Sequence, residues 1–256
     1  MRFIVVDLEA TCWSESEDPV LSARQAEESE IIEIGAVMLN ESLQPAGEFQ
    51  RFVRPVLHPK LSAFCTRLTS ITQADVDASA PLSEAYLALV DWMGGTEGVG
   101  LVSWSRFDHN QLVAEAAAAS LPMPSWTPID AKEEFTAWVR GHTGRRLRCG
   151  QRQALRHLDI PISGTEHRGI DDARGLVAVF QHLRDPMHRS SNASRALEVL
   201  AERDPRPANV GHLRARWPDA KRWYPRTARE LIRLGLAVDA GLGRGLRLTA
   251  RGRGLA

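Results

Sequence analysis

Cysteine, tyrosine and long apolar runs are scarce in this chain, and each shortage closes off a class of protein. The three cysteines, Cys12, Cys65 and Cys149, stand far apart. They are too few and too scattered for a disulfide framework or a zinc motif, so ordinary packing is expected of Cys12 and Cys65 among their apolar neighbours. No apolar stretch reaches the length of a membrane span, and the N-terminus enters a strand at once rather than a secretory signal. The reading is a cytoplasmic chain with no membrane partner. Net charge is also lacking: 32 basic and 32 acidic groups cancel over 256 residues. The cancellation is global, not local. Residues 187–256 carry 15 basic against 6 acidic groups, a net of +9, and the rest carries −9. In that basic tail arginine abounds and lysine is nearly absent. The asymmetry predicts two modules, the second with an anionic partner.

What is present starts at once. Phe3 to Val6 reads as a buried strand, and Asp7 and Glu9 follow two residues apart, so both carboxylates project from one side of the strand's end. Two carboxylates there repel one another and resist burial, a cost that a cation or a basic partner would relieve. Residues 14–30, acidic and Ser-rich, read as a loop over the site. Residues 30–39 and 48–53 give two further strands in an antiparallel meander with the first. Residues 58–80 read as irregular, and 82–93 as a helix. A strand at 99–104 leads into a helix at 107–119. A short strand at 127–130 leads into a helix at 131–140, and helices at 152–158 and 171–183 follow. That order fits an α/β fold of the ribonuclease-H-like kind: a mixed sheet, with a three-strand meander plus parallel strands, flanked by helices.

The polar segment 185–194, with Pro186, marks a boundary. It predicts a catalytic region at 1–185, a linker at 186–194 and an accessory region at 195–256. Helices at 195–202 and 226–234 and strands at 236–239 and 245–249, around the Gly-rich turn 240–244, make that region a small winged-helix-like α+β domain.

Two more carboxylates fall at comparable places. Asp108 follows the fourth strand on the first turn of a helix. Asp172 opens the last helix of the larger region, five residues after His167. Taken singly, Asp108 and Asp172 are ordinary helix caps, and His167 an ordinary surface histidine. Together, three stretches resemble the motifs of the DEDDh 3′–5′ exonucleases, the DnaQ-like and RNase T-like group. Val5-Val-Asp-Leu-Glu-Ala-Thr11 is similar to the first motif, Ser103-Trp-Ser-Arg-Phe-Asp108 to the second, and His167-Arg-Gly-Ile-Asp-Asp172 to the third. Residues 30–37, 52–55, 64–65 and 68–73 resemble the branch holding the histone-mRNA 3′-end exonucleases and KapD-like proteins. The chain departs from that pattern in three places. Ser70 and Ser105 stand where glycine is common, and Gly169-Ile170 where Ala-Leu is usual.

The resemblance covers residues 1–185 and implies a site. Asp7, Glu9, Asp108 and Asp172 would hold two Mg²⁺ ions, with Mn²⁺ as a substitute, and His167 would be the general base. It implies release of nucleoside 5′-monophosphates from a 3′ end of single-stranded RNA or DNA, or of a short overhang, with RNA preferred. Ala10 and Thr11 would meet the terminal nucleotide. Trp13, Leu68 and Trp104 would pack on bases, or else are plain core residues. In the accessory region Arg226, Arg229 and Arg233, with Arg244 and Arg247 on the wing, would meet phosphates. The same basic surface equally suits docking on the acidic region, a protein partner or self-association. The rival to the enzyme is a non-catalytic nucleic-acid-binding or protein-binding regulator on a nuclease fold.

Overall fold

The computed structural model describes residues 1–188, 190–241 and 244–255. They form two compact units, residues 1–133 with 148–180, and residues 134–147 with 181–255. The first unit is organised by β1 (Arg2–Ala10), which runs four residues beyond the expected strand. Asp7 and Glu9 therefore sit on the strand itself, alternating with buried Leu8. Two short helices, α1 (Pro19–Ala23) and α2 (Gln25–Glu28), occupy the segment read as a loop. Then come β2 (Ile31–Leu39), β3 (Pro45–Phe52), α3 (Ala63–Thr69), α4 (Gln73–Asp77) and α5 (Leu82–Trp92). Residues 58–80 are thus not simply irregular. Helices of five to seven residues are too short to show a helical period, and their caps announce them instead. The Ser62 hydroxyl accepts the Cys65 N–H, and Thr72 forms a capping box with Asp75.

β4 (Val99–Ser103), α6 (Phe107–Ala118), β5 (Thr127–Asp130), α7 (Ala131–Thr143), α8 (Gln151–His157) and α9 (Gly169–Arg184) complete the series. The sheet order is β3-β2-β1-β4-β5. β1, β2 and β3 pair antiparallel, and β4 joins β1 and β5 in parallel, as the ribonuclease-H-like order requires. β1 lies at the centre, buried from Ile4 to Val6. Ile4, Val6, Ile34 and Leu101 share a core with Tyr86 and Leu89 of α5 and Leu112 of α6. Cys12 and Cys65 belong to a smaller cluster with Ile32, Ile71 and Val76.

In the second unit a 3₁₀ turn (Pro186–His188) and the first turn of α10 (Ser191–Arg203) take up the segment expected as an open linker. After it come α11 (Val210–Arg216), α12 (Ala220–Arg233), β6 (Ala237–Asp239), β7 (Leu246–Leu248) and α13 (Ala250–Arg253). Helix α12 starts six residues before the expected Arg226. Pro225 lies inside the helix, where it removes one backbone donor and its ring crowds the preceding turn, so in the sequence it reads as a stop. β6 and β7 pair antiparallel, Ala237 opposite Leu248. Within the turn expected between them, Leu242 and Gly243 lie outside the described residues. Leu197, Leu200, Leu213, Leu231 and Leu246 form this unit's own core. Among the described residues no helix is long and apolar enough to cross a membrane.

Candidate active site

The alternation of β1 puts Asp7 and Glu9 on one face, and its pairing with β2 sets Glu9 opposite Glu33. Like charges directly opposite destabilise a sheet, so one of the two must be neutralised. Glu33 is fully buried and is the one satisfied. It accepts from Gln50 Nε2 at 2.6 Å, Arg168 Nε at 3.2 Å and the Gly169 N–H at 3.1 Å. Glu33 therefore ties β2 to the start of α9. Gly35 lets α9 close onto the sheet, because a Cβ there would lie 2.1 Å from the Gly169 carbonyl carbon. A Cβ on Gly169 would lie 2.9 Å from the Asp7 carbonyl oxygen, so the departure from alanine at 169 falls on a crowded contact.

This docking delivers Asp172 to Glu9. His167 turns the chain into α9 with φ of +57°, and its N–H donates to Asp172 Oδ2 at 2.9 Å. Gln151 Nε2 donates to the Asp172 carbonyl at 2.7 Å from α8. One ligand atom each of Glu9, His167 and Asp172 lies within 4.8 Å of the other two. Asp108 arrives from the other side. The β1–β4 ladder ends at Val5 opposite Val102, and the Leu8 N–H beyond it is met by Asp108 Oδ1 at 3.1 Å. The turn into α6 is strained at Ser105, whose φ is +146°, and Ser70 caps α3 at +60°. Both serines thus occupy backbone that glycine adopts freely.

Crowding shapes the electrostatics. Burial, then the charges of Asp108, Glu9 and Asp172, drive the Asp7 carboxyl well above the usual range. Burial and the charges of Asp172 and Glu33 lift Glu9 to about 8. Burial lifts Asp108 to about 7 against the pull of the Leu8 N–H. Asp172 is raised by burial, with the His167 N–H opposing. Desolvation is the largest cause in each of the four, and for Asp7 and Glu9 the charges of the other acids add to it. For Asp7 and Glu9 no positive charge offsets the neighbouring acids, and hard oxygen donors in such surroundings fit a divalent cation.

These groups line a cleft of about 670 Å³. It holds Asp7, Glu9, Asp108, His167 and Asp172 together, with Trp104 on its wall. Ala10, Thr11, Trp13 and Leu68 are not among the lining residues. Thr11 is 2% exposed and accepts the Glu30 N–H. The Trp13 ring is buried edge-on to His58, and Leu68 packs on the cluster of Cys12 and Cys65. The sequence analysis missed Phe107, 47% exposed on the cleft, and the basic wall of Lys132, Arg152 and Arg156. It also missed Glu33, although a charge inside the run Ile31-Ile-Glu-Ile34 was a visible signal. Asp171 and His109 have structural partners: Asp171 accepts from the Thr165 N–H and Arg174, and His109 Nδ1 accepts from Trp126 Nε1.

In the second unit Arg226, Arg229, Arg244 and Arg247 are exposed. Arg233 departs from the expected phosphate-contact set. It is 23% exposed on its side chain, lies 3.8 Å from Glu134 and donates to the Leu183 carbonyl at 2.6 Å. It is spent on its own unit.

Comparison with known proteins places this arrangement. Residues 4–180 match the RNase T exonuclease family model. The chain belongs to that exonuclease family. The 3′–5′ exonuclease Snipper of Drosophila melanogaster is 30% identical over 198 residues, 69% of this chain and 67% of Snipper. Human ERI1 exoribonuclease 3 is 38% identical over 71% of this chain and 53% of its own length. Human ERI1 exoribonuclease 2 is 33% identical over 71% of this chain, but this chain spans only 28% of it. The nuclease domain of 3′hExo, a DEDDh family member solved with rAMP, superposes with a TM-score of 0.58 at 24% identity. It covers 71% of this chain and 90% of that domain, a likeness of fold.

Proposed function

We propose that this chain is a divalent-metal-dependent 3′–5′ exonuclease of the DEDDh type, acting on single-stranded 3′ ends or short overhangs, RNA before DNA, and releasing nucleoside 5′-monophosphates. The observation that carries the reading is the convergence of four carboxylates raised by burial, and of His167, on one cleft. The preference for RNA rests on relatives named exoribonucleases. Two Mg²⁺ ions, or Mn²⁺, held by Asp7, Glu9, Asp108 and Asp172 would supply a polarised water and offset charge developing on the phosphate. His167 takes the proton of the attacking water on its imidazole. Glu166, whose Oε1 is 3.9 Å from His167 Nε2, favours the imidazolium that forms. Lys132, Arg152 and Arg156 face the phosphates entering the cleft, and Trp104 and Phe107 offer apolar faces to bases. Residues 1–185 are read as the catalytic region and 195–256 as an accessory one.

A single gel tests the reading. RNA and DNA strands labelled at either end are incubated with Mg²⁺ or chelator, with wild type, Asp7→Ala and His167→Ala. Metal-dependent shortening from the 3′ end that requires both residues is expected. Intact strands with wild-type protein and Mg²⁺ would sink the enzyme.

A further inference from the structure

The outer face of α12 has no role in that chemistry, yet its composition is unusual. Lys221, Arg222, Arg226 and Arg229 are exposed on it, while Ala220, Thr227 and Leu231 turn inward to the unit's core. Arg222, Arg226 and Arg229 are spaced i, i+4 and i+7. They form one stripe about 10 Å long at the 1.5 Å rise of an α-helix. Like charges at this spacing weaken a helix. Of the unit's acids, Glu198 and Glu202 pair with Arg216, Asp204 pairs with Arg253, Glu230 accepts from the N–H and hydroxyl of Ser190, and Asp239 accepts the Gly241 N–H. Asp219, exposed at the start of the helix three residues before Arg222, leaves the stripe with a single acid for its three arginines. Among the described residues, the four basic side chains form no ion pair.

A stripe of unneutralised arginine calls for a polyanion, and the aromatic residues say which one. Single-stranded nucleic acid is held by aromatic platforms on which bases stack. Here the aromatics interleaved with the arginines face inward. Trp217 and Trp223 meet edge to face at 6.4 Å. Arg216 and Arg195 cover the Trp217 ring at 4.9 and 5.8 Å. Tyr224 donates its hydroxyl to the Ala208 carbonyl. What remains outside is mainly charge, with Pro225 and Ile232 beside it, on a cylinder about 10–12 Å wide, the width admitted by the major groove of B-form DNA at about 12 Å. The deep, narrow major groove of A-form RNA does not admit it.

We infer that α12 is a docking surface for the backbone of duplex DNA, independent of base sequence. The inference stands on α12 alone and is separable from the activity of the cleft.

The test is anisotropy binding by the full chain in chelator, so that no hydrolysis intervenes. The probes are one sequence as duplex DNA, duplex RNA and single-stranded DNA, with polyglutamate as competitor. Duplex DNA is expected to bind at least about tenfold tighter than either other strand form, and polyglutamate to compete poorly. Three phosphate contacts give a log–log salt slope about 2.7 units steeper than none. Raising salt from about 50 to about 200 mM should therefore cost wild type about 40-fold more affinity than the triple variant Arg222→Gln/Arg226→Gln/Arg229→Gln. Because these side chains are exposed and form no ion pair among the described residues, the variant should keep the wild-type Tm. Equal binding of single strands or RNA duplex, or effective competition by polyglutamate, overturns the inference. So does a wild-type salt slope shallower than about −2.7, a reading that needs no variant.

Discussion

The cleft and the outer face of α12 both gather charges of one sign, but under opposite conditions. In the cleft, Asp7, Glu9, Asp108 and Asp172 come from three different parts of the chain and are pushed out of water, so their ionisation is suppressed. On α12, Arg222, Arg226 and Arg229 come from one helix and stay in water. Desolvation converts repulsion from a minor cost into a demand for a counter-ion. The first cluster is therefore a site the fold must hold closed against its own charge. The second is a surface the fold hardly notices.

The largest expected effect breaks the first member of that pair. Asp7→Asn should lower nuclease activity by at least about 1000-fold while making the metal-free protein more stable, a Tm gain of about 2–4 °C for each kcal/mol of relieved repulsion. Paired rate assays and melts in chelator check it. A Tm that falls would mean the carboxylates do not oppose one another.

Gly35→Ala attacks the docking of α9. With its Cβ at 2.1 Å from backbone atoms of Gly169, it should cost about 3 kcal/mol or more, read in urea unfolding, and activity should fall with it. An unchanged urea midpoint would show that α9 can shift without loss.

The pH dependence follows from the raised carboxyls. Glu9 at about 8 and Asp108 at about 7 hold protons in the folded state that the unfolded chain has already released. The metal-free protein should therefore lose stability as pH rises from the ordinary carboxylate range toward about 8. Mg²⁺ or Mn²⁺ should raise Tm most at the upper end of that window. Melts across pH with and without metal check the sign.

The basic surface gives a smaller contrast. Arg233→Gln should cost about 1–3 kcal/mol by stripping charge and hydrogen bond from Glu134 and the Leu183 carbonyl. Arg226→Gln should stay within about 0.5 kcal/mol. Equal losses would erase the distinction between the spent arginine and the free ones. Opposite in sign, Ser70→Gly should stabilise by about 1 kcal/mol by relieving a positive φ at an exposed cap.

How much of this was legible varies from residue to residue. The succession of strands was readable because alternation is a local property, and the five polar residues that share the cleft were picked out by the resemblance of three short stretches to family motifs. Helices α3, α4 and α11 were not, since a helix of two turns buries too few residues to print a period. Glu33 was readable in principle, but its purpose was not. Only the closure of α9 onto β2 shows that it is taken up by Gln50, Arg168 and the Gly169 N–H. Arg233 and Arg229 look alike in sequence. Which of them faces Glu134 depends on where residues 134–147 return, a matter of distant chain.

By itself the sequence determined the first strand with its two carboxylates, the succession of strands and the excess of arginine in residues 187–256, because each is carried by neighbours along the chain. Tertiary structure alone decided which charges lose water. It brought residues as far apart as Glu9, Asp108 and Asp172 onto one cleft, and in the second unit it turned the tryptophans inward and left the α12 arginines outside. Burial is a property of the assembled surface, and it separates a carboxyl lifted to about 8 from an arginine that stays exposed.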